Sequence, residues 1–182
     1  MKNHRIVLWT LIALTVPLAV AGCRARTDRS QGTVILSVSS FDGLPVSVSL
    51  SSSTSFQIDR VTLRNIAKDP NGTTGDLQTI ELRNYQVTYR RRDTGTRVPP
   101  PAVQAIFGQV PINGTDDIIN LPILFSDQIL SEPLLDLVNF GVDRETGTAV
   151  VVLDVSMTFF GRTLSGDEIA SAPATFTIEV RR

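Results

Sequence analysis

A chain of 182 residues, 42 % apolar and carrying a formal net charge of −1, is long enough to form one domain with a proper core. The near balance of charge offers no field for a polyanion, so nucleic acid is not an expected partner. One cysteine excludes an internal disulfide, so stability has to come from burial and backbone pairing.

In chain order, the first feature is a leader. Lys2, His4 and Arg5 form a basic start, and Ile6 to Val20 then runs apolar except for Thr10, Thr15 and Pro17. The run is shorter than the roughly 20 apolar residues that span a bilayer, and Arg24, Arg26, Asp28 and Arg29 close it off. A basic start, a short apolar run and a small-residue site are the pattern of an export signal. Its end, Val20-Ala21-Gly22-Cys23, resembles the lipobox of bacterial lipoproteins. The resemblance implies cleavage between Gly22 and Cys23 and lipid on the Cys23 sulfur, with residues 1–22 removed. Each buried methylene contributes about 0.8 kcal/mol, so two or three acyl chains anchor firmly where one is marginal. Arg24 follows the cysteine where aspartate would resemble an inner-membrane retention signal, which favours the outer membrane if the cell has two. The expected partner is therefore a membrane, reached through Cys23.

Losing Lys2 and Arg5 with the leader leaves 15 basic groups against 18 acidic ones, a net of −3. His4 leaves too, so nothing from Cys23 onward can form a Ser-His-Asp or Cys-His pair or a histidine-based zinc site. Lys68 is the one lysine remaining, beside Asp69-Pro70 in a turn context that suits a serine–lysine pair poorly.

Residues 23–32 are polar and aperiodic and read as a lipidated cysteine with a flexible tether. From residue 33 to 182 the pattern is that of a single β domain. Val34, Leu36 and Val38 alternate with Ile35, Ser37 and Ser39, and Val46, Val48 and Leu50 alternate with serines. Ile58, Val61 and Leu63 mark a third strand, and Ile80, Leu82, Val87 and Tyr89 a fourth. Shorter strands are expected over Val103 to Val110 and Ile118 to Phe125. Ala149 to Phe160 is a long run with Val151, Leu153, Val155 and Met157 on one face, and Phe176, Ile178 and Val180 alternate with polar residues in the last strand. Phe41-Asp42-Gly43, Asp69-Pro70-Asn71-Gly72, Asp93-Thr94-Gly95, Asn113-Gly114 and Ser165-Gly166-Asp167 carry the turn chemistry between them. Ser131-Glu132-Pro133 reads either as a helix start, with Leu134, Leu135, Leu137 and Val138 facing the core, or as an irregular buried connection.

Short strands at this spacing, with glycine-rich turns and serine or threonine alternating with valine or leucine, point to an all-β sandwich with one wet face per sheet. Three stretches strengthen that reading: Tyr85 to Gly95 with Pro99-Pro100-Pro101, Glu132-Pro133-Leu134, and Met157 to Gly166. They resemble a group of uncharacterised bacterial envelope lipoproteins with an immunoglobulin-like domain. The resemblance implies an antiparallel, immunoglobulin-like sandwich of about seven to nine strands with at most one short helix, in the cell envelope. It brings no activity and no site residues with it.

Candidate sites are few. Arg90, Arg91, Arg92 and Arg97 form a basic cluster that reads as a patch for lipid headgroups or an anionic glycan, or as edge charges that discourage aggregation. Tyr85 and Tyr89, four apart in a strand, share a face that either packs in the core or binds a sugar or partner. The neighbouring pair Asp116-Asp117 would point to opposite faces of a strand, and Asp127, Glu132 and Asp136 flank the helix candidate. No cofactor is expected; calcium, which takes oxygen ligands, is the one not excluded, with Asp69, Asn71 and Asp76 in one loop and Asn113, Asp116 and Asp117 in another.

Three functions fit these features. The first is a non-enzymatic module that contacts another envelope protein or polymer, with the Val150 to Phe160 run and the arginine cluster as places for an exposed edge or patch. The second is a carboxylate-based enzyme on envelope glycans, which needs a concave site and an acid with a raised pKa. The third is a carrier with an apolar hollow between the sheets.

Overall fold

A computed structural model describes residues 32–44, 47–51 and 55–182. The leader, the Gly22–Cys23 junction and most of the tether lie outside these residues, as does Val46.

The strands are β1 (Val34–Asp42), β2 (Ser47–Ser49), β3 (Phe56–Ala67), β4 (Ile80–Arg91), β5 (Ala102–Val110), β6 (Thr115–Leu124), β7 (Val150–Thr163), β8 (Glu168–Ala170) and β9 (Ala174–Arg181). Two short helices, α1 (Ser126–Ile129) and α2 (Leu134–Phe140), lie between β6 and β7. The strands form an all-β sandwich of two sheets. The small sheet has the order β1-β3-β6; the large one runs β2-β9-β7-β4-β5, with β8 also paired to β7. Every pairing is antiparallel except the three-residue β2, which runs parallel to the end of β9.

Period-two patterning explains the layers. In β7, Val151, Leu153, Val155, Met157 and Phe159 are all fully buried while the residues between them are half-exposed. Such a row has one side to bury, and the small sheet covers it. Phe41 of β1 meets Phe176 of β9 edge-on, with ring centroids 5.3 Å apart, and Tyr85 of β4 stacks on Phe159 of β7 at 5.9 Å. The predicted turns form where aspartate, asparagine and glycine allow. Asp69 Oδ1 accepts from the Asn71 N–H, and Gly43 and Gly166 hold positive φ.

Two readings are corrected. The Val150–Phe160 run is not an exposed edge: β7 lies inside the large sheet between β4 and β9, a central place that its fully buried inward row and its many β-branched residues suit. The edges of that sheet are the three-residue β2 and the nine-residue β5 instead. Ser131 does not cap a helix; α2 is preceded by Pro133, and the Ser131 hydroxyl donates to the Gln128 carbonyl, closing α1. Of the four residues expected to face the core, Leu134 and Leu137 are fully buried under one end of the sandwich and Val138 packs partly against it, whereas Leu135 is half-exposed. Truncating Leu134 or Leu137 to alanine should cost about 2–5 kcal/mol. The turn of helix in α1 and the short β8 have no periodic signal.

Candidate functional site: an arginine clasped by carboxylates

The chemistry of the described residues concentrates at one end of the sandwich, where the β4–β5 connection meets α2 and the α2–β7 connection. The cluster begins with strand parity. Tyr85, Val87 and Tyr89 face the core, so Arg91 on the same row must face it too, and its side chain is only 3 % exposed. A buried guanidinium is costly unless its donors are met. Arg91 Nε donates to Asp93 Oδ1 at 2.6 Å and Nη2 donates to Asp93 Oδ2 at 2.7 Å, a two-pronged pairing of planar groups. Nη2 also reaches Asp143 Oδ2 at 2.9 Å, and Nη1 donates to the Arg97 carbonyl. Gly95 lies so close to the guanidinium that any Cβ there would collide with it.

The acids are themselves held. Asp143, fully buried, accepts from the Thr146 hydroxyl and the Glu145 N–H. Asp93 accepts from the N–H groups of Gly95 and Val152. Further out, Glu145 accepts from both main-chain N–H groups of Thr96 and Arg97. Arg97 Nη1 donates to Glu132 at 2.6 Å and lies 3.9 Å from Asp136. Asp136 is buried, and its Oδ2 has no hydrogen-bond partner.

These contacts set the electrostatics. The Arg91 hydrogen bond is the main cause that holds Asp93 below the usual carboxylate range. Burial pushes Asp143 up, but the bonds from Thr146, Arg91 and the Glu145 N–H outweigh it and leave its pKa lowered. Glu145 is lowered by the Thr96 hydroxyl and the two main-chain donors. Burial works against the charge on Arg91, and its bonds to Asp93 and Asp143 overcome it, so the group stays protonated. All three acids are thus poised as anions, whereas a general acid for glycoside cleavage needs the opposite shift.

The four arginines of the sequence cluster separate. Arg91 is the interior clasp. Arg92 is exposed on the outer face, where it donates to the Thr177 hydroxyl and sits 4.0 Å from Asp154. Arg90 is exposed on that face opposite Asp154 in register. Arg97 lies beside α2. The structure brings Arg91 and Arg97 together through the loop, and Arg90 and Arg92 together on the sheet. Tyr85 and Tyr89 lie in the core: their hydroxyls donate to the carbonyls of Pro122 and Ile123 on β6.

In the loops considered for calcium, three side chains are engaged locally. Asp69 caps its own turn, Asn113 accepts from the Ala67 N–H, and Asp117 accepts from the Thr62 hydroxyl. Among the described residues no three His, Cys, Asp or Glu side chains come together in a cluster that could hold a metal ion. No described helix is long and apolar enough to cross a membrane.

Asp143 and Asn65 carry more of this architecture than their sequence context signals. Asn65 is fully buried in β3, on the row of Val61 and Leu63, and its Nδ2 donates to the carbonyls of Gln78 and Val110. A polar residue on an apolar strand row is the clue the sequence holds for it. Asp143 has none, since it lies in a loop without periodicity.

No protein-family model and no curated protein matches the chain. Among solved structures, the chain is similar to a putative late embryogenesis abundant protein determined in solution. That likeness has 13 % identity, covers 98 % of this chain and 88 % of the other, and has a TM-score of 0.44.

Proposed function

We propose that the chain is a lipid-anchored envelope protein whose sandwich acts as a non-enzymatic binding or structural module. The observation that carries this reading is Val20-Ala21-Gly22-Cys23 behind a basic and apolar leader, with the chain's one cysteine at the position lipidation needs. The body supports it in two ways. Its acids with shifted pKa are held ionised in hydrogen bonds that fasten loops, an arrangement suited to rigidity more than to proton transfer. Nothing from Cys23 onward supplies an imidazole or a second thiol. The kinship with immunoglobulin-like envelope lipoproteins, and an outer-membrane position in a cell with two membranes, belong to the same proposal. Arg90 and Arg92, exposed together on the large sheet, are the part of the basic cluster still placed to meet an anionic polymer or headgroup.

Growth of producing cells with labelled palmitate tests the anchor. The native chain should carry label and Cys23→Ser should carry none. Equal label in both, or a cellular protein that retains residues 1–22, overturns the proposal.

A further inference from the structure

We propose that β5 is a homodimer edge, at which two copies of this chain pair antiparallel about a two-fold axis through Ala105. The inference does not depend on the lipid anchor.

Sheet edges are normally blunted by charge, proline or shortness, because a free row of N–H and C=O groups recruits other strands. The other described edges obey this. β2 has three residues, β1 ends in Asp42, and β6 carries Asp116, Asp117 and Pro122. β5 does not: Ala-Val-Gln-Ala-Ile-Phe-Gly-Gln-Val, nine residues at a free edge of the large sheet, holds no charge and no proline. Among described strands longer than three residues it alone is uncharged. It also exposes the wrong side chains for a solvent edge. Phe107 is 91 % exposed and Val103 60 %, with Ile119 of the neighbouring edge strand β6 at 65 %. A register irregularity opposite Leu82–Asn84 falls between Ala105 and Gly108 and accompanies the outward turn of Phe107.

Between β5 and β6 runs a groove of about 230 Å³ with Phe107 and Ile119 in its wall, and Gln104 and Asn120 as its polar members. Its lining contains no charged residue, so a charged strand would lose hydration there and find no counter-ion. A groove of this size takes one or two uncharged side chains, which an uncharged strand paired to the β5 edge beside it would supply. β5 of a second copy has that chemistry, and its sequence is suited to self-pairing. Val103 and Phe107 lie two residues either side of Ala105, so a two-fold antiparallel pairing about Ala105 places Val103 opposite the partner's Phe107, and the reverse, on one face. An aromatic residue opposite a β-branched one is a favourable cross-strand pair, and the small Ala105 leaves the axis uncrowded. Such an interface is self-complementary and closes at two copies.

Ala105→Cys in the full chain, oxidised in intact producing cells, provides the test. Opposed residues of an antiparallel pair have Cα atoms about 4.5–5.5 Å apart, within disulfide range. A disulfide-linked dimer should form with Ala105→Cys and be absent from the parent chain and from Thr88→Cys, an exposed position on β4. Adding Phe107→Lys or Val103→Lys to Ala105→Cys should lower the dimer fraction at least tenfold. The proposal is overturned by no dimer above the parent level, by equal dimer at Thr88→Cys, by lysine variants that cross-link undiminished, or by Ala105→Cys trapping a different protein in place of its own copy.

Discussion

Tyr89, on the large sheet, donates its phenolic hydrogen to the main-chain carbonyl of Ile123 on the small sheet at 2.7 Å. Tyr85, two core positions earlier on β4, does the same to Pro122 at 2.8 Å. Burial raises the pKa of both phenols far above the ordinary tyrosine value, and for Tyr89 the neighbouring Tyr85 adds to the shift, so both remain donors wherever the fold persists. These bonds tie the two layers where side-chain packing alone would leave carbonyls of an edge strand unpaired. Removing a hydroxyl strands a buried acceptor, which costs more than the bond's net contribution. Tyr89→Phe should lower stability by about 1–2 kcal/mol and Tyr85→Phe by about 1 kcal/mol, read from urea unfolding midpoints at constant slope. Unchanged midpoints would mean that the carbonyls find water instead.

The same strand row that aims the tyrosines inward buries Arg91, and its loss should be felt differently from that of its neighbours. Arg91→Met leaves Asp93 and Asp143 facing each other with no cation, a case that typically costs about 3–5 kcal/mol. Arg90→Met and Arg97→Met remove exposed charges. Exposed pairs such as Arg97–Glu132, half-accessible on both sides, contribute at most about 1 kcal/mol. Arg97 also stands 3.9 Å from the buried Asp136, so the expected order of thermal midpoints is Arg91→Met well below the parent, Arg97→Met between, and Arg90→Met close to the parent. Equal losses at all three positions would contradict the clasp.

Strand parity makes much of this legible in the sequence. Alternation locates the long strands, the turn residues locate most reversals, and Leu134 and Leu137 announce the buried side of α2. The basic cluster misleads when three consecutive arginines are read as one surface, because a strand sends neighbours to opposite faces. Arg91 shares its parity with Val87 and Tyr89, and that is enough to separate it from Arg90 and Arg92. Its partners are not legible: Asp143 comes from a loop 52 residues away whose position depends on how α2 closes the sandwich. The edge status of β5 and the interior place of β7 depend on sheet order, which periodicity does not encode.

Acid should loosen this end of the molecule. The folded-state pKa values of Asp93 and Asp143 are depressed, so their contribution is present above the unfolded carboxylate value, near 3.9, and fades as pH falls through the lower folded values. Stability should hold from neutral pH to about 5 and decline below about 4. Arg91→Met removes a main cause of both depressions, so its unfolding free energy should change less over that acid range than the parent's. Parallel acid limbs for the two proteins would show that the loss arises elsewhere.

Gly161 sits inside β7, between Leu82 of β4 and Ile169 of β8 in register. A Cβ there would lie 2.6 Å from the Glu81 carbonyl oxygen and 2.8 Å from the Ile80 side chain. The first contact is with the backbone of a paired strand, which cannot rotate aside, so relief requires β4 and β7 to separate where both are central. Overpacking of this kind costs about 1–3 kcal/mol when side chains yield, and the backbone contact puts Gly161→Ala at or above the top of that range. Gly75, at the start of the short turn before β4, has extended φ, and a methyl added there would meet nothing within 4 Å, so Gly75→Ala should stay within about 0.5 kcal/mol of the parent. Chemical denaturation of the two variants side by side separates a packing cost from glycine's backbone entropy, which would favour alanine at both positions. A Gly161→Ala chain as stable as Gly75→Ala would mean that β4 and β7 are not as tightly apposed at this point as the register implies.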